Sequence, residues 1–293
     1  MKLKTVGRIL KETALGWQKD KVAVLAAALA YYTTFSLAPL LVLVIAIAGA
    51  VFGQEAVRGE IVGQIQGLVG QQGAEAIQAM LQNAYRAGSG GVFATIASLV
   101  TLLLGASGVF GQLQEALNTI WHVEPRPGAG IKDFIHDRFL SFAMILVIGF
   151  LLLVSLVLSA VLAGISAYIS HFFPTLSFLG RVVNFLLSFG VITVLFALIY
   201  KVLPDVKVPS RALWVGSIVT ALLFNLGKFL LGSYLGSSSI TSSYGAAASL
   251  AIVLIWIFYS VQILLIGAEF IKAYSNARGM RVRPTKNAVL VER

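Results

Sequence analysis

Six stretches of the chain are almost continuously apolar: 29–52, 92–111, 139–169, 182–202, 212–232 and 246–271. A helix needs about 20 mostly apolar residues to cross a bilayer, so each stretch predicts one crossing. The third, at 31 residues, is too short for two crossings and predicts one tilted helix with an interfacial extension. The expected fold class is all-α. It is a polytopic membrane protein with six transmembrane helices in a single domain, 1–275. The basic tail, 276–293, is expected to be cytoplasmic and disordered.

The polar segments carry patterns of their own. Val6, Ile9, Leu10, Thr13 and Trp17 recur at helical spacing among Lys2, Lys4, Arg8, Lys11 and Lys19. That predicts an amphipathic helix lying on the cytoplasmic leaflet. In segment 53–91, one stripe is Val57, Ile61, Ile65, Leu68 and Val69, and another is Ile77, Met80, Leu81 and Tyr85. Gly70 and Gly73 interrupt them. Two short external helices joined by a glycine turn, capping the bundle, fit this pattern. Pro125-Arg-Pro127-Gly128 predicts a turn in the 112–138 connection.

Charge then fixes an orientation. Of 22 Lys and Arg, 18 fall in the alternate segments 1–22, 112–138, 201–211 and 272–293. The intervening segments 53–91, 170–181 and 232–245 hold two, one and none. This is a positive-inside bias, and an even number of spans brings both basic termini to the cytoplasmic side. Trp17, Trp121 and Trp214 lie near expected cytoplasmic ends, as interfacial aromatics do. The first apolar run is too long for the h-region of a cleaved signal peptide, so the first span is expected to be retained.

Composition agrees. Hydrophobic residues make up 58% of the 293 and charged residues 12%, against roughly 25% charged in soluble domains. Mean hydropathy is +0.89. Topology already accounts for the net charge of +10 and the pI near 9.9, so nucleic acid is not an expected partner. The absence of cysteine excludes thiol catalysis and Cys-ligated metals.

The first span holds the densest polar stretch, with Tyr31, Tyr32, Thr34 and Ser36 ahead of Pro39. Pro39 cannot donate to the Phe35 carbonyl, which predicts a kink and a free acceptor. Those residues are candidates for a substrate path, although helix packing along Ala23, Ala27, Ala30 and Thr34 explains them equally simply. Gly105, Gly108 and Gly111 end the second span and suit close helix approach. Glu115 and Asn118 follow on one helical face. Lys228 is the one intramembrane cation. It lies 17 residues after Arg211, about 25 Å along the fifth span. It either pairs inward with Asn225 or snorkels to the outer interface. The uncharged, hydroxyl-rich connection 232–245, with Tyr244, suits a re-entrant or a plain external loop. Gln262 and Glu269 close the candidate path in the last span, where Glu269 can pair with Lys272. His122, His136 and His171 are scattered, and there is no His-Glu-x-x-His motif and no serine elbow. No catalytic, cofactor-binding or metal-ligating residue is expected. There is also no internal repeat of the inverted-transporter kind.

Several motifs together resemble the YihY/BrkB family of bacterial inner-membrane proteins. They are Ala27-Ala-Leu-Ala-Tyr-Tyr-Thr-Thr-Phe-Ser-Leu-Ala-Pro39, Leu117-Asn-Thr-Ile-Trp121, Leu203-Pro-Asp-Val-Lys207, and Tyr244-Gly245 followed by Trp256, Tyr259 and Gly267-Ala-Glu269. The resemblance spans nearly the whole chain. It implies six spans, cytoplasmic termini and an inner-membrane location. It carries no catalytic residues, because the family's activity is not settled. The ribonuclease BN name once given to members is treated as a misassignment. The expected function is therefore a transporter or lipid-handling protein of the cell envelope, working in membrane lipid on a small solute or lipid, with a homo-oligomer compatible. The alternative is a scaffold or envelope-assembly factor that moves nothing. A membrane-bound ribonuclease is the least favoured reading.

Overall fold

The computed structural model describes residues 3–87, 108–126, 177–237, 248–286 and 288–291. Helix α1 runs Leu3–Lys19 and α2 runs Val22–Phe52. They are separated only by Asp20 and Lys21, where Lys21 takes a left-handed backbone (φ 50°). Residues 22–28 are all apolar and run into the expected span without a break, so α2 begins seven residues before it. Its 31 residues extend about 46 Å.

Gly53 reverses the chain with φ 86°, a conformation that side-chain-bearing residues rarely adopt. Helix α3 then runs Gln54–Ala87 without a break. This corrects the expected pair of short external helices. Each internal glycine costs about 1 kcal/mol in a helix, which burial along a continuous face outweighs. Val57, Ala74, Ile77 and Leu81 are buried with Ala30, Val42 and Ile45 of α2. The same cluster takes in Ile252, Val253 and Ile257, so α3 lies along α2 and the last helix and does not cap the bundle end-on.

Residues 108–121 form the described part of helix α4, followed by strand β1, Val123–Pro125. Helix α5, Ser177–Val202, leads through β2, Val206–Lys207, into α6, Ser210–Ser237. Helix α7 spans Ala248–Ala277 and packs against α1, α2, α3 and α6, which makes it the central element. Among the described residues, three stretches are long and apolar enough to cross a membrane: Phe185–Val202, Ser210–Leu231 and Leu250–Ala277. Val22–Leu37 of α2 is a shorter apolar stretch of the same kind. The expected span 139–169 and most of 92–111 lie outside the described residues.

Two short strands form within the described part of the tail, for which disorder was expected. Strand β3, Arg283–Pro284, pairs antiparallel with β2, and β4, Ala288–Leu290, pairs antiparallel with β1. Two flanking hydrogen bonds extend the pairing, Thr285 N–H to the Asp205 carbonyl (2.9 Å) and Val291 N–H to the His122 carbonyl (2.9 Å). Strands of two or three residues are too short to show a period of two in sequence. They form here because each finds a partner at the end of a rigid helix.

Candidate functional site

Helix α1 is docked on α7. Ile9 and Thr13 are buried, the Trp17 indole N–H donates to Gln262 Oε1 (2.9 Å), and an Arg8 guanidinium N–H donates to the Ala277 carbonyl (3.3 Å). Gly16 faces Glu269 so closely that a Cβ there would overlap the carboxyl oxygen. Val6, Leu10 and Leu15 stay exposed. The sequence stripe is thus divided between a face packed on α7 and an outer apolar face.

At this junction three segments bring four ionisable groups together. Asp20, between α1 and α2, has a side chain only 6% exposed. His122 Nε2 lies 3.1 and 3.2 Å from its two oxygens. The Lys272 ammonium donates to Asp20 Oδ2 (3.3 Å) and to the Ile120 carbonyl (2.6 Å), and it sits 3.3 Å from His122 Nε2. Glu269, one turn earlier on α7, is 2% exposed, and its Oε1 has no partner. Burial alone would raise the Asp20 pKa. The His122 hydrogen bond and the Lys272 charge outweigh it and hold the carboxyl below its usual value.

Backbone strain gathers at the same place. Among the described residues, the only two non-glycine residues with positive φ are Lys21, next to Asp20, and His122 itself (φ 53°). Each such conformation costs on the order of 1–3 kcal/mol and persists where surrounding structure enforces it.

A second polar cluster lies beside the first. Asn118, 7% exposed, donates from Nδ2 to Asp205 Oδ2 (2.8 Å) and accepts from the Asp205 backbone N–H at Oδ1 (2.8 Å). Gln114 adds a hydrogen bond to Asp205 Oδ2 (3.3 Å). This clasp fixes the α5–α6 connection to α4 and, through Thr285, to the tail. An open cavity of about 480 Å³ borders it, lined by Gly111, Gln114, Glu115, Asn118 and Asp205.

The remaining expected path residues do not converge. Tyr31 and Tyr32 are exposed, with the Tyr31 ring tilted by 56° against that of exposed Phe35, centroids 4.9 Å apart. Thr34 and Ser36 are buried, and Thr34 donates back to the Ala30 carbonyl (2.7 Å). The chain stays helical through Pro39. Glu115 is exposed and accepts from Gln112 (3.2 Å). Asn225 donates back to the Ala221 carbonyl (2.8 Å), so the inward Asn225–Lys228 pair does not form. Lys228 is exposed, beside exposed Leu226, Phe229 and Leu230, as a snorkelling lysine would be. Tyr244 lies outside the described residues. Gln262 is held by Trp17, and Lys272 reaches Asp20 in addition to its charge interaction with Glu269. Among the described residues, Gly108 and Gly111 meet nothing where a Cβ would stand. Close approach occurs instead at Gly216, Gly227 and Gly267. Asp20, His122, Lys272 and Asp205 were not singled out from sequence as site residues. The available signals were weak: a lone acid among lysines, and a histidine directly after the Leu117–Trp121 motif.

Among the described residues, no group of three or more His, Cys, Asp or Glu has the arrangement of a metal site. Comparison with known proteins gives consistent results. The family model described as "Virulence factor BrkB" matches residues 13–290. A UPF0761 membrane protein of Halorhodospira halophila is 30% identical over 91% of this chain and 56% of its own length. One of Psychrobacter sp. is 29% identical over 90% of this chain and 46% of its own length. One of Alteromonas mediterranea is 27% identical over 86% of this chain and 83% of its own length. The chain thus spans about half the length of the first two of these relatives. No solved structure matches it. With the family match covering nearly every residue from α1 to β4, this chain belongs to the BrkB (YihY/BrkB, UPF0761) family of membrane proteins.

Proposed function

We propose that the protein handles lipid or a small solute across the bacterial inner membrane, with both termini cytoplasmic, and that the Asp20–Glu269 pair is its proton-linked element. One observation carries this reading. Glu269 is 2% exposed on the central helix, has an unpartnered oxygen, and shares the Lys272 charge with a second carboxyl group, Asp20. Ionised carboxylates only accept hydrogen bonds, so a proton taken up by either group would give it a donor for the other. Ionisable groups inside membrane helices more often mark pathways or proton relays than packing. Exchange of that proton would alter how α1 and the start of α2 seat on α7.

Absence of transport is the second reading, and one observation favours it. Lys228 and Asn225, the expected polar step on α6, do not face each other. The two readings separate in vesicles of phosphatidylethanolamine and phosphatidylglycerol that carry fluorescent phosphatidylglycerol and a trapped pH dye. The wild type is expected to expose inner-leaflet label to external dithionite, or to relax an imposed pH gradient, faster than protein-free vesicles. Glu269→Gln should remove the acceleration while the protein stays folded. If neither signal moves with the wild type, the scaffold reading replaces this one.

A further inference from the structure

A second cavity, of about 530 Å³, opens where the end of α7, the 278–284 segment and the tip of β4 meet. Its polar lining is Trp121, Lys272, Asn276, Arg281 and Arg283, and among the described residues neither Asp nor Glu lines it. Trp121 is 5% exposed, and its indole N–H is a buried donor without a partner. Unpaired buried donors are rare in folded proteins, and a ligand acceptor accounts for one that lines a cavity. Lys272 is largely committed to Asp20 and the Ile120 carbonyl, so the uncommitted positive charge comes from the two arginines. Gly279, at φ 62°, turns the chain out of α7. Arg281 and Arg283 follow two residues apart, and both line the cavity. Each guanidinium presents a planar fork that matches two oxygens of a phosphate group.

We propose that this cavity binds a phosphate-bearing anion, with Arg281 and Arg283 holding the phosphate oxygens and the Trp121 N–H donating to one of them. The same chemistry serves the headgroup of an acidic phospholipid and free phosphate. The apolar part of the lining, which includes Val206, Met280 and Leu290, suits the lipid. Binding here does not require that anything be moved, so the proposal stands apart from the transport reading and fails separately from it.

The test uses the full chain in detergent with two probes. Native mass spectrometry measures retention of phosphatidylglycerol against zwitterionic phosphatidylcholine. Quenching of tryptophan fluorescence follows titration with inorganic phosphate. The wild type is expected to retain phosphatidylglycerol preferentially. The double variant R281Q/R283Q should lose that preference by about tenfold or more, the equivalent of roughly one strong charge-assisted contact. W121F, which keeps the ring and removes the donor, should weaken binding by a smaller factor. Both variants should melt as the wild type does, since both arginines are exposed and the strand pairing is through backbone. Saturable quenching by inorganic phosphate, with displacement of the lipid, assigns the site to free phosphate. Lipid retention unaffected by phosphate assigns it to the headgroup. The proposal is overturned if neither probe binds the wild type saturably, or if R281Q/R283Q binds both as well as the wild type.

Discussion

Gly267→Ala tests the packing that holds three helices together in the interior. Tyr200 of α5 is fully buried, and its hydroxyl donates to the Leu264 carbonyl of α7 (2.7 Å). It also lies 3.1 Å from Thr220 Oγ1, which donates to the Gly216 carbonyl of its own helix, α6 (2.8 Å). Both hydroxyl oxygens press on Gly267, and a Cβ there would overlap each of them. Alanine therefore fits only if α5 and α6 move away from α7. Overpacking of this kind costs about 1–3 kcal/mol. Loss of the Tyr200 bond adds about 0.6 kcal/mol, the average for hydrogen bonds between membrane helices. Glycine-to-alanine replacement returns up to about 1 kcal/mol of helix propensity. The net expectation is a loss of ~2 kcal/mol, or about thirtyfold in the unfolding equilibrium. Equilibrium unfolding by SDS in mixed micelles measures it. The decisive control is Y200F/T220A, which removes both obstructing oxygens. In that background Gly267→Ala should be neutral or stabilising. An equal cost in the two backgrounds would falsify the clash as its cause.

Four further outcomes follow from the geometry. The Asp20 carboxyl is held below its usual value, so its contribution is present above the unfolded pKa of about 3.9 and is lost as pH falls below that. Thermal melts across the acid range should show Lys272→Met losing stability at a higher pH than the wild type, because a major charge that depresses the Asp20 pKa is gone. Asn118→Ala removes two 2.8 Å hydrogen bonds to Asp205 and should cost about 2–4 kcal/mol, with faster tryptic cleavage after Arg281 as the readout. Gly53→Ala forces a side chain into φ 86° and should destabilise by about 1–3 kcal/mol in the same SDS titration. Lys228→Gln, on an exposed position, should change stability by less than about 0.5 kcal/mol. A larger effect would place Lys228 in a buried contact.

The helices at 22–52, 177–202, 210–237 and 248–277 were legible from apolar run length, because lipid-facing and core-facing positions are both apolar and only the ends are uncertain. Helix α3 was misread at Gly70 and Gly73. Local glycine penalties are visible in a sequence, whereas the burial of Ile77 and Leu81 against α2 and α7 is not. Rotation about a helix axis is equally hidden in a uniformly apolar segment, which is why Lys228 had two readings. Glu269 was picked out because a carboxylate in an apolar run is conspicuous. Asp20 stands between Lys19 and Lys21 and reads as a solvated acid. Its partners lie 102 and 252 residues away, separations that no local pattern encodes.

The strand pairings of the tail set an order of assembly. Strands β1 and β2 end helices made early in synthesis, yet their partners are residues 283–290, which follow the last described helix. A chain grows from its N-terminus, so α4 and α5 must wait beside the membrane with open strand edges until translation has passed residue 290. Until then the connections after α4 and α5 present unpaired backbone. The docking of α7, which brings Lys272 to Asp20, and the closing of both strand pairs then occur as nearly one event. Maturation of the bundle end is therefore a late, concerted step, and an early arrest in translation leaves a membrane-inserted intermediate that lacks the ion cluster altogether.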